Sequence, residues 1–581
     1  MKARLTRWLE RPNGPFLAVS CLLIMAWVFI RPWGDFGLND DWTFALVAKG
    51  LLENDTLQLR APSSPNAVGM GVLGAALLKV TGGFSHLTLR LFTMALTLFG
   101  LWGLHGLLRQ AVQSPWLRLG ALVVLAFNPM VFNMATSFMT ELHGWLPAML
   151  GASLWFWARS KAGDDGPLVP FWVAAATGLI IGLVFWTRQI SIVVYPAAIG
   201  ATLLRVVATG QGRRVVRTLP GLLAGVVLFG VAIATYVPWA KATGNFRPEF
   251  AERIGHLAQF QARNFHMQGG ALVVYMTAAF LPFLLLVPWR KSGGLGLEVG
   301  AILILVLTLT ARARFAVSAP ADFWVGPIWT HKVFPYLLNI VNNAGLGPIT
   351  TDDGFFYDVK GPSWSKEVWA AIEVLLLVAG LKWSPVVARL PRLWREAKSQ
   401  TWLEVPLFGL LLVLGSTIAI VQVHQMELLD RYHLPVILGL VLVLPVIIDR
   451  TGALAGEPAV FARFVVPCGL LMAFVVGGTH DYFRWQEARW ALFEQARAQG
   501  GTRATIQGGY EMNCYWMYDG LKPEERTCGA ACRCVMNGFC CADDEWRIGF
   551  SVAPGYAQVA AIQPRYLLAP GPPVVLARRP R

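Results

Sequence analysis

The chain has 581 residues, 55% of them hydrophobic and only 14% charged, with 24 Trp and a mean hydropathy of +0.51. That balance leaves too little polar surface to cover a soluble globule, so soluble-enzyme and soluble binding-module classes are excluded and an integral membrane protein is predicted. The formal net charge of +15 is explained by positively charged loops on one membrane face plus a basic tail, and requires no nucleic-acid partner.

The N-terminal stretch MKARLTRWLERPNGPFLAVSCLLIMAWVFIRPWGDF joins a basic flank to an apolar run. No small-residue cleavage site closes that run, which ends in Phe29, Ile30, Arg31, Pro32 and Trp33, so it reads as a retained anchor. Runs long enough to cross the hydrocarbon core recur from there on, near Phe16–Trp33, Leu87–Leu108, Leu117–Phe132, Gly144–Trp157, Pro170–Trp186, Ile190–Val206, Leu219–Trp239, Ala271–Trp289, Leu295–Leu309, Val368–Leu381, Val405–Val423, Leu434–Ile448 and Phe464–Val476. The predicted fold class is therefore an all-α polytopic membrane protein with about 13 transmembrane helices.

Orientation follows from the loops. Lys2, Arg4, Arg7 and Arg11 precede the first span, Arg205, Arg213, Arg214 and Arg217 crowd a later loop, and Lys382, Arg389, Arg392, Arg395 and Lys398 crowd another. All three fall on one side of the predicted topology, which is the cytoplasmic side. The N-terminus is then inside, the C-terminus outside, and the outer loops are 34–86, 241–270 and 312–367. Residues 1–480 form the membrane part and 481–581 an outer C-terminal domain.

The first outer loop opens on Asp40 and Asp41. Trp42, Phe44, Ala45, Leu46, Leu51 and Leu52 follow at helical spacing, which predicts a helix lying along the membrane surface with two carboxylates at its start. Solvated loop charges are the plain alternative. In ITTDDGFFYDVKGP, Asp352 and Asp353 offer two further carboxylates, but the neighbouring Gly and Pro read first as a turn. No His-Glu-x-x-His, P-loop or dinucleotide fingerprint is present, and the membrane part carries no metal signature.

After the last span the character changes. HDYFRWQEARWALFEQARAQGG predicts an amphipathic helix ended by Gly500 and Gly501, and short β-like runs such as RIGFSVA and AQVAAI follow, so a small α+β domain is expected. Six cysteines, Cys514, Cys528, Cys532, Cys534, Cys540 and Cys541, cluster there, while Cys21 and Cys468 sit in apolar spans. An outer location favours disulfides. Zinc is the rival, although the spacing lacks the paired Cys-x2-Cys of a zinc ribbon.

Several of these stretches, taken in order, resemble the GT-C superfamily of membrane glycosyltransferases, of the protein O-mannosyltransferase and lipid A aminoarabinose transferase type. NDDWTFALVAKGLLENDTLQL is similar to the family's first acidic site, with Asp41 in place of Glu. FNMATSFMTELHGWLPAMLGASLWFWARS is similar to the second, with Glu141 where Asp is more usual. FWTRQISIVVYP resembles the Arg-Gln step between two spans, here Arg188 and Gln189, and MELLDRYHLPVILGL resembles the Asp-Arg-Tyr-x-x-Pro start of a late span. TIQGGYEMNCYW is similar to a segment of the same transferases whose role the resemblance does not define. In place of the Lys-Pro-Pro-like element of the lipid A-modifying branch this chain reads LRAPSSPNAVGMG, with Arg60, so a lipid A acceptor is not implied.

The resemblance implies transfer of a hexosyl or pentosyl group from a polyprenyl-phosphate donor to a lipid, glycan or protein acceptor, at the outer face of a bacterial cytoplasmic membrane. An acceptor hydroxyl needs a carboxylate to take its proton, a role it implies for Asp40, with Asp41 and Glu141 assisting and inversion at the anomeric carbon. The leaving phosphate needs cations, for which Arg431 and Arg188 are the candidates, with His433 and Tyr432 beside them. Some superfamily members need a divalent cation and others do not, and the sequence leaves this open. Two other classes stay in view: a polytopic transporter, against which the gathering of charges at the outer boundary argues, and a non-catalytic envelope assembly protein.

The charge pattern makes a direct prediction. A topology reporter fused after Lys398 should report the cytoplasm, and one fused after Gly500 the opposite compartment. The inverse pattern would move Asp40 to the wrong side for a lipid-linked donor.

Overall fold

The computed structural model of the protein describes residues 7–59, 67–162, 166–246, 255, 262–287, 300–310, 334–335, 339–342, 345–351, 364–397, 400–424, 429–450, 458–518, 545–568 and 570–580. Arg60, Asp352, Asp353, five of the six clustered cysteines and much of the two later outer loops lie outside them, and with them the choice between disulfides and zinc. The chain is mainly helical, and among the described residues seven helices are long and apolar enough to cross a membrane, or eight if one bent pair counts as a span.

The first apolar helix, α1, is Gly14–Ile30. A helix follows Asp40 as expected, α2, Asp41–Asn54, with Asp41–Ala48 buried, and a second, apolar helix, α3, Val68–Thr81, comes before the next span. Next come α4 (His86–Ala111), α5 (Pro115–Ala126) and α6 (Pro129–Ala135). The last two occupy the span expected over Leu117–Phe132 and meet at a bend of 64°. Asn128 explains the bend: it precedes Pro129, takes an extended backbone, and its side chain accepts the Met130 N–H at 3.0 Å, so the helix stops and restarts.

The following helices are α7 (Thr140–Lys161), α8 (Phe171–Val184), α9 (Val194–Thr209) and α10 (Gly212–Ala234). α8 and α10 meet backbone to backbone, because a Cβ on Gly178 would lie 2.2 Å from the Gly225 carbonyl oxygen. Small residues allow this close approach, which replaces the hydrophobic drive that lipid removes. Later helices include α11 (Glu404–His424) and α12 (Leu434–Arg450). The span Asp430–Arg450 is the central one, with 83% of its apolar window buried.

The expected span over Phe464–Val476 and the expected amphipathic helix after His480 are one continuous helix, α13, Pro458–Ala498. The drop in apolarity at Thr479, His480 and Asp481 marks a change of surroundings, but no Gly–Gly or Pro stop follows until Gly500 and Gly501, so the helix runs through the boundary expected at residue 480. Beyond it lie β3 (Ile506–Gln507), α14 (Tyr510–Tyr518), β4 (Trp546–Gly549), β5 (Ala557–Ile562) and β6 (Val574–Arg578). An earlier two-stranded hairpin, β1 (Val341–Asn342) with β2 (Gly345–Leu346), stands apart from them. The four later strands form one sheet in the order β3-β4-β6-β5, with β3 and β4 parallel and the other pairs antiparallel. Trp546, Ile548, Val574 and Leu576 of this sheet, with Phe550 just after β4, share a single hydrophobic cluster with Phe483, Trp485 and Leu492 of α13.

At the end of α7 and α9 distant from Asp40, Glu404 Oε1 lies 3.0 Å from Arg159 Nε and 2.7 Å from Arg205 Nη1, and all three side chains are buried. Removing the shared carboxylate from two buried guanidinium groups is expected to cost Glu404→Ala about 3–5 kcal/mol. Thermal unfolding of purified protein in detergent should show a clearly lowered midpoint, and an unchanged one would mean that the triad does not hold the bundle together.

Candidate active site

The approach to Asp40 is built by a buried cation. Arg90 of α4 donates to the carbonyl oxygens of Pro32 at 2.8 Å, Gly34 at 2.5 Å and Phe36 at 2.8 Å, and its guanidinium sits between the Phe36 and Phe483 rings. These bonds hold the segment after α1 in one course. Asn39 then takes a left-handed backbone (φ 52), a conformation Asn tolerates, and turns the chain into α2. Asp40 is the cap residue, yet its side chain makes no cap bond. It points instead to two distant partners, Arg431 Nη2 at 2.7 Å from Oδ2 and the Tyr510 hydroxyl, which donates to Oδ1 at 3.2 Å.

Arg431 joins a second carboxylate. Its Nε lies 3.2 Å from Glu141 Oε1, and Arg188 Nη2 lies 3.2 Å from the same oxygen. Glu141 stands at the start of α7, where Thr140 donates to its Oε2 at 3.3 Å and accepts from Arg188 Nη1 at 3.3 Å. Gly144, one turn on, gives Arg188 its space, since a Cβ there would meet the Arg188 Cβ at 2.4 Å. Both guanidinium groups lie over the Tyr432 ring, with centroid distances of 5.1 Å for Arg188 and 5.7 Å for Arg431. Two carboxylates and two guanidiniums balance in charge, and Arg431 Nη1, although buried, has no hydrogen-bond partner among the described residues.

Asp40, Glu141, Arg188, Arg431 and Tyr432 are thus brought together from four separate segments. Asp41 and His433 are not. The Asp41 carboxylate is buried and accepts the N–H groups of Leu38 at 2.5 Å and Phe138 at 3.4 Å. His433 is buried beside the Tyr275 ring at 5.4 Å, and neither ring nitrogen has a hydrogen-bond partner among the described residues. Asp430 of the same motif accepts from Ile340 N at 3.1 Å and Val341 N at 2.6 Å, and so pins the β1–β2 hairpin to the start of α12.

Three contributors go beyond the sequence reading. Tyr510 is the main one: burial, with Asp40 next to it, pushes its ionisation well above the ordinary tyrosine value, so its hydroxyl stays a donor to Asp40. It is placed by its own N–H, which donates to the Thr350 carbonyl at 2.8 Å, and by the buried ion pair of Arg489 with Glu511. The sequence signal was TIQGGYEMNCYW, whose likeness carried no role. Arg90 and Thr140 gave no signal, since one reads as an isolated charge in a span and the other as a helix start.

Among the described residues, the carboxylates of this arrangement are already engaged. Asp40 and Glu141 are bridged by Arg431, Asp41 is spent on backbone N–H groups, and no group of three or more His, Cys, Asp or Glu residues comes together among the described residues.

No protein-family model and no curated protein matches the sequence. Among solved structures the chain is similar to ArnT from Cupriavidus metallidurans bound to undecaprenyl phosphate, with 13% identity and a TM-score of 0.42 over 97% of this chain and 98% of that one. It is also similar to the archaeal oligosaccharyltransferase AglB from Archaeoglobus fulgidus in complex with an inhibitory peptide and a dolichol-phosphate, with 12% identity and a TM-score of 0.41 over 82% of this chain and 58% of that one.

Asp41 yields a pH prediction. Burial pushes its carboxyl from the ordinary 3.8 up to about 7, against the pull of Arg90. The folded state therefore keeps a proton that the unfolded chain releases above about pH 4, so this stabilisation is complete below that value and is lost as pH rises through 7. Between pH 4 and 7 the unfolding midpoint of the wild type should fall more steeply than that of Asp41→Asn. Parallel profiles would show that Asp41 is ionised throughout.

Proposed function

We propose that the protein is a membrane glycosyltransferase of the GT-C type that moves a sugar from a polyprenyl-phosphate carrier to an acceptor hydroxyl or amine at the outer face of the membrane. The observation that carries this reading is the convergence of Asp40, Glu141, Arg188 and Arg431 on one buried cluster. These residues belong to the stretches that resemble the superfamily, and the chemistry needs a base beside a phosphate-binding cation.

In this reaction the acceptor oxygen forms a bond to the anomeric carbon while the bond from that carbon to the phosphate oxygen breaks. The electron pair leaves with the phosphate and the acceptor proton passes to Asp40. Each carboxylate oxygen can accept more than one hydrogen bond, so Asp40 retains room for the acceptor proton beside Arg431 and Tyr510. Attack from the face opposite the phosphate inverts the anomeric centre. The donor is a phosphodiester with one negative charge and the departing carrier phosphate gains a second, so a guanidinium beside it binds the transition state more tightly than the ground state.

Arg431 links the two halves of the chemistry. In the resting pair its Nη2 occupies Asp40 Oδ2. A donor phosphate that takes up Arg431 Nη1 and draws the guanidinium away leaves Asp40 Oδ2 open to the acceptor proton. Glu141, itself held by Arg188, keeps Arg431 from leaving the cluster. The C-terminal segment, which we place in the same outer compartment as the donor, takes part through Tyr510.

Purified protein assayed with a polyprenyl-phosphate sugar tests this. Asp40→Asn should reduce turnover by roughly 10²–10⁴-fold while the protein still folds. Arg431→Lys keeps the charge but loses the two-pronged geometry, and should weaken donor binding as well as slow turnover. Full activity in Asp40→Asn would remove the base assignment, and unchanged donor titrations in Arg431→Lys would remove the phosphate role. A transporter or an assembly protein would show no transfer in any form.

A further inference from the structure

Away from the cluster, a cavity of about 410 Å³ opens where the end of α1 meets α13, lined by Val28, Phe29, Arg31, His480, Arg484 and Arg565. Among the described residues no carboxylate lines it. Arg484 is fixed in place, with Nη2 donating to the carbonyl oxygens of Ile30 at 2.9 Å and Arg31 at 3.3 Å, and Nη1 lying 2.8 Å from Glu487 Oε2. Glu487 offsets one of the three guanidinium charges. Arg31 and Arg565 have no ion-pair partner among the described residues.

The delivery of Arg565 to this place is also built. Asp481 of α13 accepts the N–H groups of Leu567 at 2.7 Å and Leu568 at 2.8 Å, and its Oδ1 lies 3.0 Å from His480 Nδ1. One carboxylate thus clamps the loop that carries Arg565 and orients the His480 ring, which also lies 5.7 Å from the Phe29 ring. Below the cations the wall changes to hydrocarbon. Ile24, Met25, Val28 and Phe29 are all exposed on one face of α1, a helix apolar enough to lie in lipid.

We propose that this cavity binds the phosphate headgroup of an anionic membrane phospholipid, with its acyl chains along the Ile24–Phe29 face of α1. A lipid phosphodiester supplies the one anion that unpaired guanidiniums bond with two oxygens at once, and it carries the apolar tails that the adjoining face requires. A free anion would leave that face unused. The site is separate from Asp40 and does not depend on the glycosyl-transfer reading.

Native mass spectrometry of the full chain, delipidated in detergent and titrated with phosphatidylglycerol, phosphatidylcholine or inorganic phosphate, tests the proposal. The wild type should retain phosphatidylglycerol in preference to phosphatidylcholine, and Arg31→Gln with Arg565→Gln should weaken that binding by roughly tenfold or more, the weight of a lost charge-assisted hydrogen bond. Arg565→Gln alone alters only an exposed loop side chain, and should show a smaller loss in the same direction even if the double variant fails to fold. Equal retention of phosphatidylglycerol by wild type and Arg565→Gln would overturn the site. So would equal affinity for phosphatidylcholine, or displacement of the lipid by millimolar inorganic phosphate.

Discussion

A charge removed from water must find its opposite, and Arg431 finds two. It bridges Asp40 and Glu141, which come from opposite ends of a stretch of about a hundred residues, while Arg431 itself arrives nearly three hundred residues later. An unpaired guanidinium at that depth would cost several kcal/mol, so the pairing constrains the positions of α2, α7 and α12 together. Arg188 and Tyr510 add the turn before α9 and the start of α14 to the same constraint. The rest of the candidate site follows from this one requirement, because each segment must present its polar residue at the common point and bury its apolar remainder around it.

Much of the architecture was legible in the chain. The hydrophobic runs predicted most of the helices, and the stripe from Trp42 to Leu52 predicted α2, because burial in lipid or against a neighbour leaves a periodic mark. Breaks were less legible: Asn128–Pro129 interrupts a span at a place where hydropathy does not change, and α13 continues where hydropathy does. Hydropathy reports surroundings, whereas the helix itself ends only where the backbone requires it.

The site was legible residue by residue but not in its pairings. Asp40, Glu141, Arg188 and Arg431 could be picked out as charges at span boundaries, yet nothing in the sequence says that one guanidinium serves both carboxylates. Asp40 and Asp41 are adjacent and chemically alike, and they diverge only because successive residues at a helix start point in different directions: one reaches Arg431, the other turns in to backbone N–H groups. Tyr510 was hidden for a different reason. Its partner is 470 residues away, and a lone tyrosine carries no local signal of that distance.

The length of α13 has a mechanical consequence. At 41 residues it is a rod of roughly 60 Å, about twice the thickness of the hydrocarbon it enters. A rod of that length acts as a mast: its lower half is footed in the spans, and its upper half carries Arg489, which anchors Glu511 and hence Tyr510. The place where Tyr510 meets Asp40 is thereby tied, through Glu511 and Arg489, to the same helix that packs against the rest of the bundle.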